Sequence, residues 1–456
     1  MDEILLSSTN GRAPQATFRE ALLKGIAPDR GLYMPDHIPV IPPREIASYA
    51  DMDYHEIAFR VSRCFLGGQI SDEDLQAITK DAYDFDVPLE QVYGKKYVMR
   101  LDQGPTASFK DFAARMMGRL MQYYLDKEKR ELLILTATSG DTGSAIANAF
   151  YGLDNIKVVV LFPEAEVTAR QRKQMTTLGQ NVQIIGLDAK FDDCQALVKT
   201  AFADTDLDGL NLSSANSINI GRLIPQTVYY FYAFSRLCGS TDREIIFSVP
   251  SGNFGDMMGG VIAMHMGLPV KKFIIATNEN DEYPTFLKTG EYTPIVPSLN
   301  CISSAMNVGH PSNISRLVAL YNGAMDEKGG IGIMPDLQKM RRDMFAISIS
   351  DRWTEETIQQ AWKEYQLLLE PHGAVGWAGL RQYLADYPAD DTPDQVCVSL
   401  ETAHPAKFPE KIRELLDMDP DLPPSLEGIE EKKEQYDTIG TEYADFKAYL
   451  QERYGS

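Results

Sequence analysis

Little in this sequence can ligate a soft metal or build a disulfide framework. The 456 residues include five cysteines, at 64, 194, 238, 301 and 397, which are scattered, odd in number and without a C-x-x-C pair. That argues against a disulfide scaffold or a zinc module and fits a reducing compartment. The six histidines (37, 55, 265, 310, 372 and 404) form no H-x-x-x-H or Cys/His cluster, so no metal site is expected. Positive charge is in deficit, with 44 Lys and Arg against 65 Asp and Glu and a formal net charge of −21. Such a chain repels phosphate backbones and anionic membranes, so nucleic acid and lipid surfaces are poor partners. A locally positive pocket for a small anion stays open. No apolar run reaches the ~18 residues that a bilayer-spanning helix needs. The opening MDEILLSSTNGR has no basic head followed by an apolar run, so it does not read as a signal peptide. The expected address is the cytoplasm.

What the chain does have is strand–helix alternation. ELLILTAT (131–138), KVVVLFP (157–163) and NVQIIGL (181–187) are short apolar runs, each followed by a polar or amphipathic helical stretch. EIIFSVP (244–250) and VKKFIIATNE (270–279) begin a second series. This pattern predicts an α/β chain whose parallel strands are buried on both faces. Before it, residues 1–95 read as a mixed helix and loop domain. Segment 25–43 is Gly/Pro-rich and irregular, 51–66 has helical spacing, and Ser71 is placed to cap a helix. Residues 96–410 are expected to hold two α/β lobes, the smaller over roughly 100–230. Residues 411–456, rich in Glu, Lys and Asp, read as a solvated helical tail.

Six stretches could carry chemistry. In SVPSGNFGDMMGG (248–260) a strand runs through Ser251, Gly252, Asn253, Phe254 and Gly255 into a helix. Turning glycines and a helix start together cup a phosphate, although the pattern is neither the dinucleotide nor the Walker fingerprint. TATSGDTGSA (136–145) offers Ser139, Gly140, Asp141, Thr142 and Gly143 at another helix start, suited to a carboxylate or phosphate. The charge of Asp141 opposes a simple anion site; it could instead cap the helix or contact a cationic or hydroxyl group. Lys110, in LDQGPTASFKDFAAR (101–115), sits at the end of an extended segment just ahead of an apolar run. A partly desolvated lysine can form a Schiff base, and the cofactor that goes with it, pyridoxal phosphate, needs a phosphate cup as well. Thr402, in SLETAHPAKF (399–408), falls at the carboxyl edge of a strand, where a hydroxyl can bond a ring nitrogen. Asn216, Asn219 and Arg222, read as one helix at i, i+3 and i+6, combine amide and guanidinium groups suited to an anion. Asn313 and Arg316 form a second, less distinctive pair, and His404, before proline, reads as structural.

GPTASFKDFAAR, TATSGDTGSA, NSINIGRLIPQ, SGNFGD, PSNISR, LEPHGAVGWAGL and ETAHPAKF together resemble the threonine synthase family, in the longer form of bacteria and fungi, over most of the chain. The resemblance implies a fold-type II pyridoxal-phosphate enzyme, akin to the tryptophan synthase β chain, with the cofactor between two α/β lobes. It implies conversion of O-phospho-L-homoserine and water to L-threonine and phosphate. Lys110 would be the Schiff-base lysine and proton shuttle, Ser251–Gly255 would hold the cofactor phosphate, and Thr402 would face the pyridine nitrogen. Residues 139–143 would hold the substrate carboxylate, and Asn216, Asn219 and Arg222 would lie near the substrate phosphate. The rival readings are a serine/threonine dehydratase or β-replacement enzyme and a non-catalytic homologue that binds phosphorylated amino acids. Monomer and homodimer both remain open.

Overall fold

Strands LLILTA (Leu132–Ala137), IIFSVP (Ile245–Pro250) and VCVSLE (Val396–Glu401) are buried at every residue in the computed structural model, which describes residues 3–138 and 140–455 apart from the side chain of Asp192. Runs with no polar alternation belong in sheets covered on both faces, and two such sheets form. The larger has six strands in the order Met344–Ser348, Val270–Thr277, Ile245–Pro250, Val396–Glu401, Lys96–Arg100 and Leu89–Tyr93. All neighbours in it are parallel except the last pair. The smaller has five parallel strands, Asp437–Thr438, Val182–Leu187, Ile156–Pro163, Leu132–Ala137 and Leu212–Ser213. The α/β fold and the strands expected near 131, 157, 181, 244 and 270 are therefore present.

Residues 3–83 pack on this frame. Helix Tyr54–Leu66 begins where Glu56 Oε2 accepts the Asp53 N–H at 2.8 Å, and Ser71 Oγ accepts the Asp74 N–H at 3.1 Å at the start of helix Asp72–Ala82. The 25–43 segment is mostly irregular but lends Tyr33–Pro35 to a short antiparallel pair with Leu6–Ser8. Tyr54, Tyr83, Phe85 and Tyr229 surround the ring of Phe112, with centroids 4.9–6.1 Å away. Phe112 lies on helix Lys110–Glu128, so this aromatic cluster fixes the helix that begins with Lys110.

The tail is a correction. It is no solvated appendix: Asp437–Thr438 adds an edge strand to the smaller sheet, and helix Tyr443–Tyr454 buries Phe446 and Leu450 completely against Leu197, Val198, Ala201 and Leu207. Ahead of that strand, Glu430 and Glu434 pair with Arg170 and Arg172 at 3.0 Å each. Among the described residues no helix is long and apolar enough to cross a membrane.

Candidate functional site

Strands Lys96–Arg100, Ile245–Pro250 and Val396–Glu401 are parallel neighbours, so the loops after them leave the same edge of the larger sheet. There they line a cavity of about 2050 Å³ together with loops of the smaller sheet, the 24–32 segment and the 295–312 loop. Two backbone hydrogen bonds, Phe109 N–H to Thr402 O at 2.9 Å and His404 N–H to Ala107 O at 3.0 Å, zip the 107–109 segment to the 402–404 segment. They set Lys110 beside Thr402. Lys110 is the first residue of a helix rather than the end of an extended segment. It lines the cavity, where its amine stands over the face of the Phe109 ring, 5.0 Å from the centroid, and has no hydrogen-bond or ion-pair partner among the described residues. Burial holds its proton affinity below the ordinary lysine value; Asp141 opposes that shift, while Lys407 and Arg222 add to it.

In the glycine loop the amides of Gly252, Asn253, Phe254 and Gly255 donate to no acceptor among the described residues. They precede helix Gly255–His265, and Phe254 takes a left-handed conformation (φ 62°) that turns the chain into it. The Ser251 N–H is committed to Ala276 O (2.8 Å) and its hydroxyl to Val249 O (3.0 Å), so Ser251 contributes less than expected. The side chain of Asn253 is committed too, to Ser217 Oγ (2.5 Å) and to Ser312 N–H (2.7 Å). A Cβ on Gly252 would lie 2.8 Å from Met306 Cα, so only glycine fits beneath that turn. The Thr402 hydroxyl lines the cavity and bonds to no other group among the described residues. A cup of four free N–H groups at a helix start, a lysine of lowered proton affinity and a free hydroxyl fit a phosphorylated aldehyde such as pyridoxal phosphate.

At the second loop, Asp141 and Thr142 line the cavity and their N–H groups donate to no acceptor among the described residues, whereas Gly140 and Gly143 donate theirs to Thr138 Oγ1 (3.0 and 2.8 Å). Ser139 lies outside the described residues. The charge that made Asp141 a puzzle is neutralised: the fully buried Lys407 reaches it at 2.7 Å, and Gln171 donates to it at 2.9 Å. The resulting environment holds its carboxyl far below the usual carboxylate range.

The third group does not form one helical face. Residues 214–219 are loop, and helix Ile220–Leu223 starts only after them. Asn216 lines the cavity, its amide oxygen taken by the Thr136 hydroxyl (3.2 Å) and its NH₂ without an acceptor among the described residues. Asn219 is turned away and fully used: its NH₂ holds Leu22 O and Ser214 O (2.8 and 2.9 Å), and its oxygen caps Gly221 N–H (2.9 Å). Its expected substrate role is corrected to a structural one. Arg222 lines the cavity and is buried, donates one bond to Ala215 O (2.7 Å), and among the described residues has no carboxylate in an ion pair with it and no partner for Nε. Burial pulls its pKa down to about 10, the state of a cation lacking an anion. Arg316 is committed to Tyr33, Ser217 and Ile218 carbonyls and to Asn313, and His404 caps Ala406 N–H (3.1 Å).

Two cavity residues were missed. Thr138 organises the second loop, as above. His372 lines the cavity, with Nδ1 on Glu370 (2.5 Å) and Nε2 accepting Ala305 N–H (3.0 Å), which braces the turn over Gly252. Only the helix-start pattern of LEPHG hints at it. Among the described residues the one His/Cys/Asp/Glu trio close enough to share an ion, Glu279, Cys301 and Asp351, does not line the cavity.

Three family models match the chain: "Threonine synthase N terminus" over 6–83, "Pyridoxal-phosphate dependent enzyme" over 87–401 and "Threonine synthase, C-terminal" over 373–450. The threonine synthase of Pseudomonas aeruginosa is 38% identical and aligns over 97% of each chain; that of Escherichia coli is 38% identical over 90% of this chain and 91% of its own. Among solved structures, threonine synthase of Brucella melitensis with bound PLP superposes with a TM-score of 0.92 at 34% identity over 100% of both chains. The yeast threonine synthase does so with 0.88 at 29% identity, covering 99% of this chain and 98% of that one.

Proposed function

This chain belongs to the threonine synthase family and is a pyridoxal-phosphate enzyme of fold type II, and from that premise we propose how its own residues turn O-phospho-L-homoserine and water into L-threonine and phosphate. The observation that carries the reading is the Lys110 amine, free and of lowered proton affinity, sharing one cavity with the four free N–H groups of 252–255 and the Thr402 hydroxyl. When bound, pyridoxal phosphate supplies an electron sink for charge developing at the substrate Cα. Residues 252–255 would hold its phosphate, Lys110 its aldehyde carbon and Thr402 its ring nitrogen; a hydroxyl there does not force that nitrogen to be protonated.

Lys110 is also the base that takes and returns protons at substrate carbons, because a buried amine is uncharged more readily than one in water. The net change moves one proton from Cβ to Cγ, expels phosphate from Cγ with the C–O electron pair, puts the hydroxyl of water on Cβ and leaves the other proton of that water with the phosphate. The Asp141 and Thr142 N–H groups and the Thr142 hydroxyl suit the substrate carboxylate. Arg222, a buried cation short of an anion, and the Asn216 amide suit the substrate phosphate. We read residues 1–95 as the N-terminal domain, 96–410 as the cofactor-binding lobes and 411–456 as a tail completing the smaller lobe. The enzyme works on a small substrate in the cytoplasm, without nucleic acid or membrane partners.

The test follows phosphate and threonine released from O-phospho-L-homoserine by protein loaded with pyridoxal phosphate. Equal amounts of both, lost in Lys110→Ala, are expected. Phosphate without threonine would mean elimination ending in a ketoacid, and turnover of serine or threonine instead would make the chain a dehydratase.

A further inference from the structure

Lys407 has no part in the chemistry above, yet its side chain is fully buried. Nζ lies 2.7 Å from Asp141 Oδ1 and donates to Thr106 O at 2.8 Å. The Thr106 carbonyl also accepts from Gln174 (3.0 Å), and the Thr106 N–H and hydroxyl are held by Asp111 (2.8 and 2.6 Å), the residue after Lys110. One ammonium thus joins three walls of the cavity: the loop before Lys110, the Asp141 loop of the smaller sheet and the turn after Thr402. A lysine buried at this depth is tolerated only when paired, and so is Asp141. Without Lys407, Asp141 would stand in the cavity as an uncancelled anion within electrostatic reach of Lys110.

We propose that Lys407 is a positioning residue: its ammonium cancels the charge of Asp141, so that the Lys110 amine is left free to react as an uncharged nucleophile and base. The proposal rests on the reading of Lys110 as the cofactor-bearing lysine. The charged groups facing Lys110 are Asp141 and Glu370, which favour its protonated form, and Lys407 and Arg222, which oppose it; burial outweighs each of them. Asp256, at the start of the helix after the glycine loop, also feels the lysine. Because Asp141 and Lys407 are paired, their effects on Lys110 are opposite in sign. That gives the test a signature that loss of structure would not produce.

The experiment measures trace acetylation of Lys110 against pH in the full-length, cofactor-free chain, read at the Lys110 peptide by mass spectrometry. It compares wild type, Lys407→Met, Asp141→Asn and the double variant. In Lys407→Met the labelling midpoint is expected to rise by about one pH unit, slowing labelling about tenfold below it. In Asp141→Asn the midpoint falls, and in the double variant it returns close to wild type. With pyridoxal phosphate bound, the pH at which the visible band changes follows the same order. Should Lys407→Met not fold, the double variant, which strands no charge, carries the test against Asp141→Asn. Midpoints that stay put, or that move the same way in both single variants, overturn the proposal. Retained turnover in Lys110→Ala would instead overturn the reading beneath it.

Discussion

Gly252→Ala isolates the phosphate cup. Gly252 has no left-handed backbone, so an alanine there is a purely steric change. Its Cβ would stand 2.8 Å from Met306 Cα and 3.1 Å from Ala305 O, both main-chain atoms. The closer contact is about 0.7 Å short of ordinary van der Waals separation. Neither side yields freely. The turn above is tied by Ala305 N–H to His372 (3.0 Å) and Met306 N–H to Ser303 O (2.9 Å). The loop below is tied by Ser251 to Ala276 (2.8 Å) and Asn253 to Ser217 (2.5 Å). Relieving such a clash costs about 1–3 kcal/mol, and tilting one N–H off a bound phosphate loses about 1.5–3 kcal/mol more. Part of the first cost is borne with or without cofactor, so affinity for pyridoxal phosphate should fall on the order of 10–100-fold. Gly255→Ala is the control in the same loop. Its nearest contacts would be Ser217 Cβ at 3.4 Å and Gln226 Nε2 at 3.5 Å, and affinity should change no more than about threefold. The assay is an absorbance titration of cofactor-free protein with pyridoxal phosphate, with melting curves to check the fold. Equal losses in the two variants, or Gly252→Ala binding like wild type, would refute the reasoning.

Asn216→Ala should raise KM for the phosphorylated substrate with little change in melting temperature, whereas Asn219→Ala, which strips three hydrogen bonds from buried backbone groups, should lower stability by roughly 1–3 kcal/mol; urea titration and steady-state kinetics separate the two. Asp256 is buried, with Oδ1 held by Tyr229 and Tyr230 (2.6 and 2.7 Å) and Oδ2 unpaired, and burial pushes its carboxyl up to about 6. A carboxyl that stays protonated longer in the folded state favours folding at low pH, and that advantage disappears as pH rises from the unfolded value near 4 through about 6. Asp256→Asn should therefore flatten the stability profile across that window in cofactor-free protein, by about 3 kcal/mol at most. Phe446→Ala should cost about 3–5 kcal/mol or release the tail locally, read as faster hydrogen exchange across residues 437–455.

The larger part of the fold could be read from sequence because its strands are uniformly apolar: LLILTA and IIFSVP admit no other reading in a covered sheet. Lys96–Arg100 and Met344–Ser348 escaped that reading, since KYVMR mixes charge with apolar residues and MFAIS lacks a sharp boundary. The tail misled for a related reason. Asp437–Thr438 is too short to show a period, and Phe446 and Leu450 are two apolar positions in a charged helix. Their partners on 197–207 are more than two hundred residues away.

The site divides along the same line. Lys110, the 252–255 amides and Thr402 are each placed by their own backbone surroundings: a helix start, a glycine turn and a strand end. Short stretches of sequence carry those signals. Asn216 and Asn219 look alike in sequence, and only the backbone path, loop through 219 and helix after it, sends one amide into the cavity and the other into the scaffold. Asp141 shows the limit most clearly. Read by itself, its charge argues against an anion site; the group that reverses the argument, Lys407, is 266 positions along the chain. A buried charge is tolerable only with its counter-charge, so an acidic residue in a glycine-rich helix-start loop tells the reader to look for a distant cation before discarding the loop as a site. In this chain that cation stands five residues after Thr402, in the turn zipped to the segment that carries Lys110.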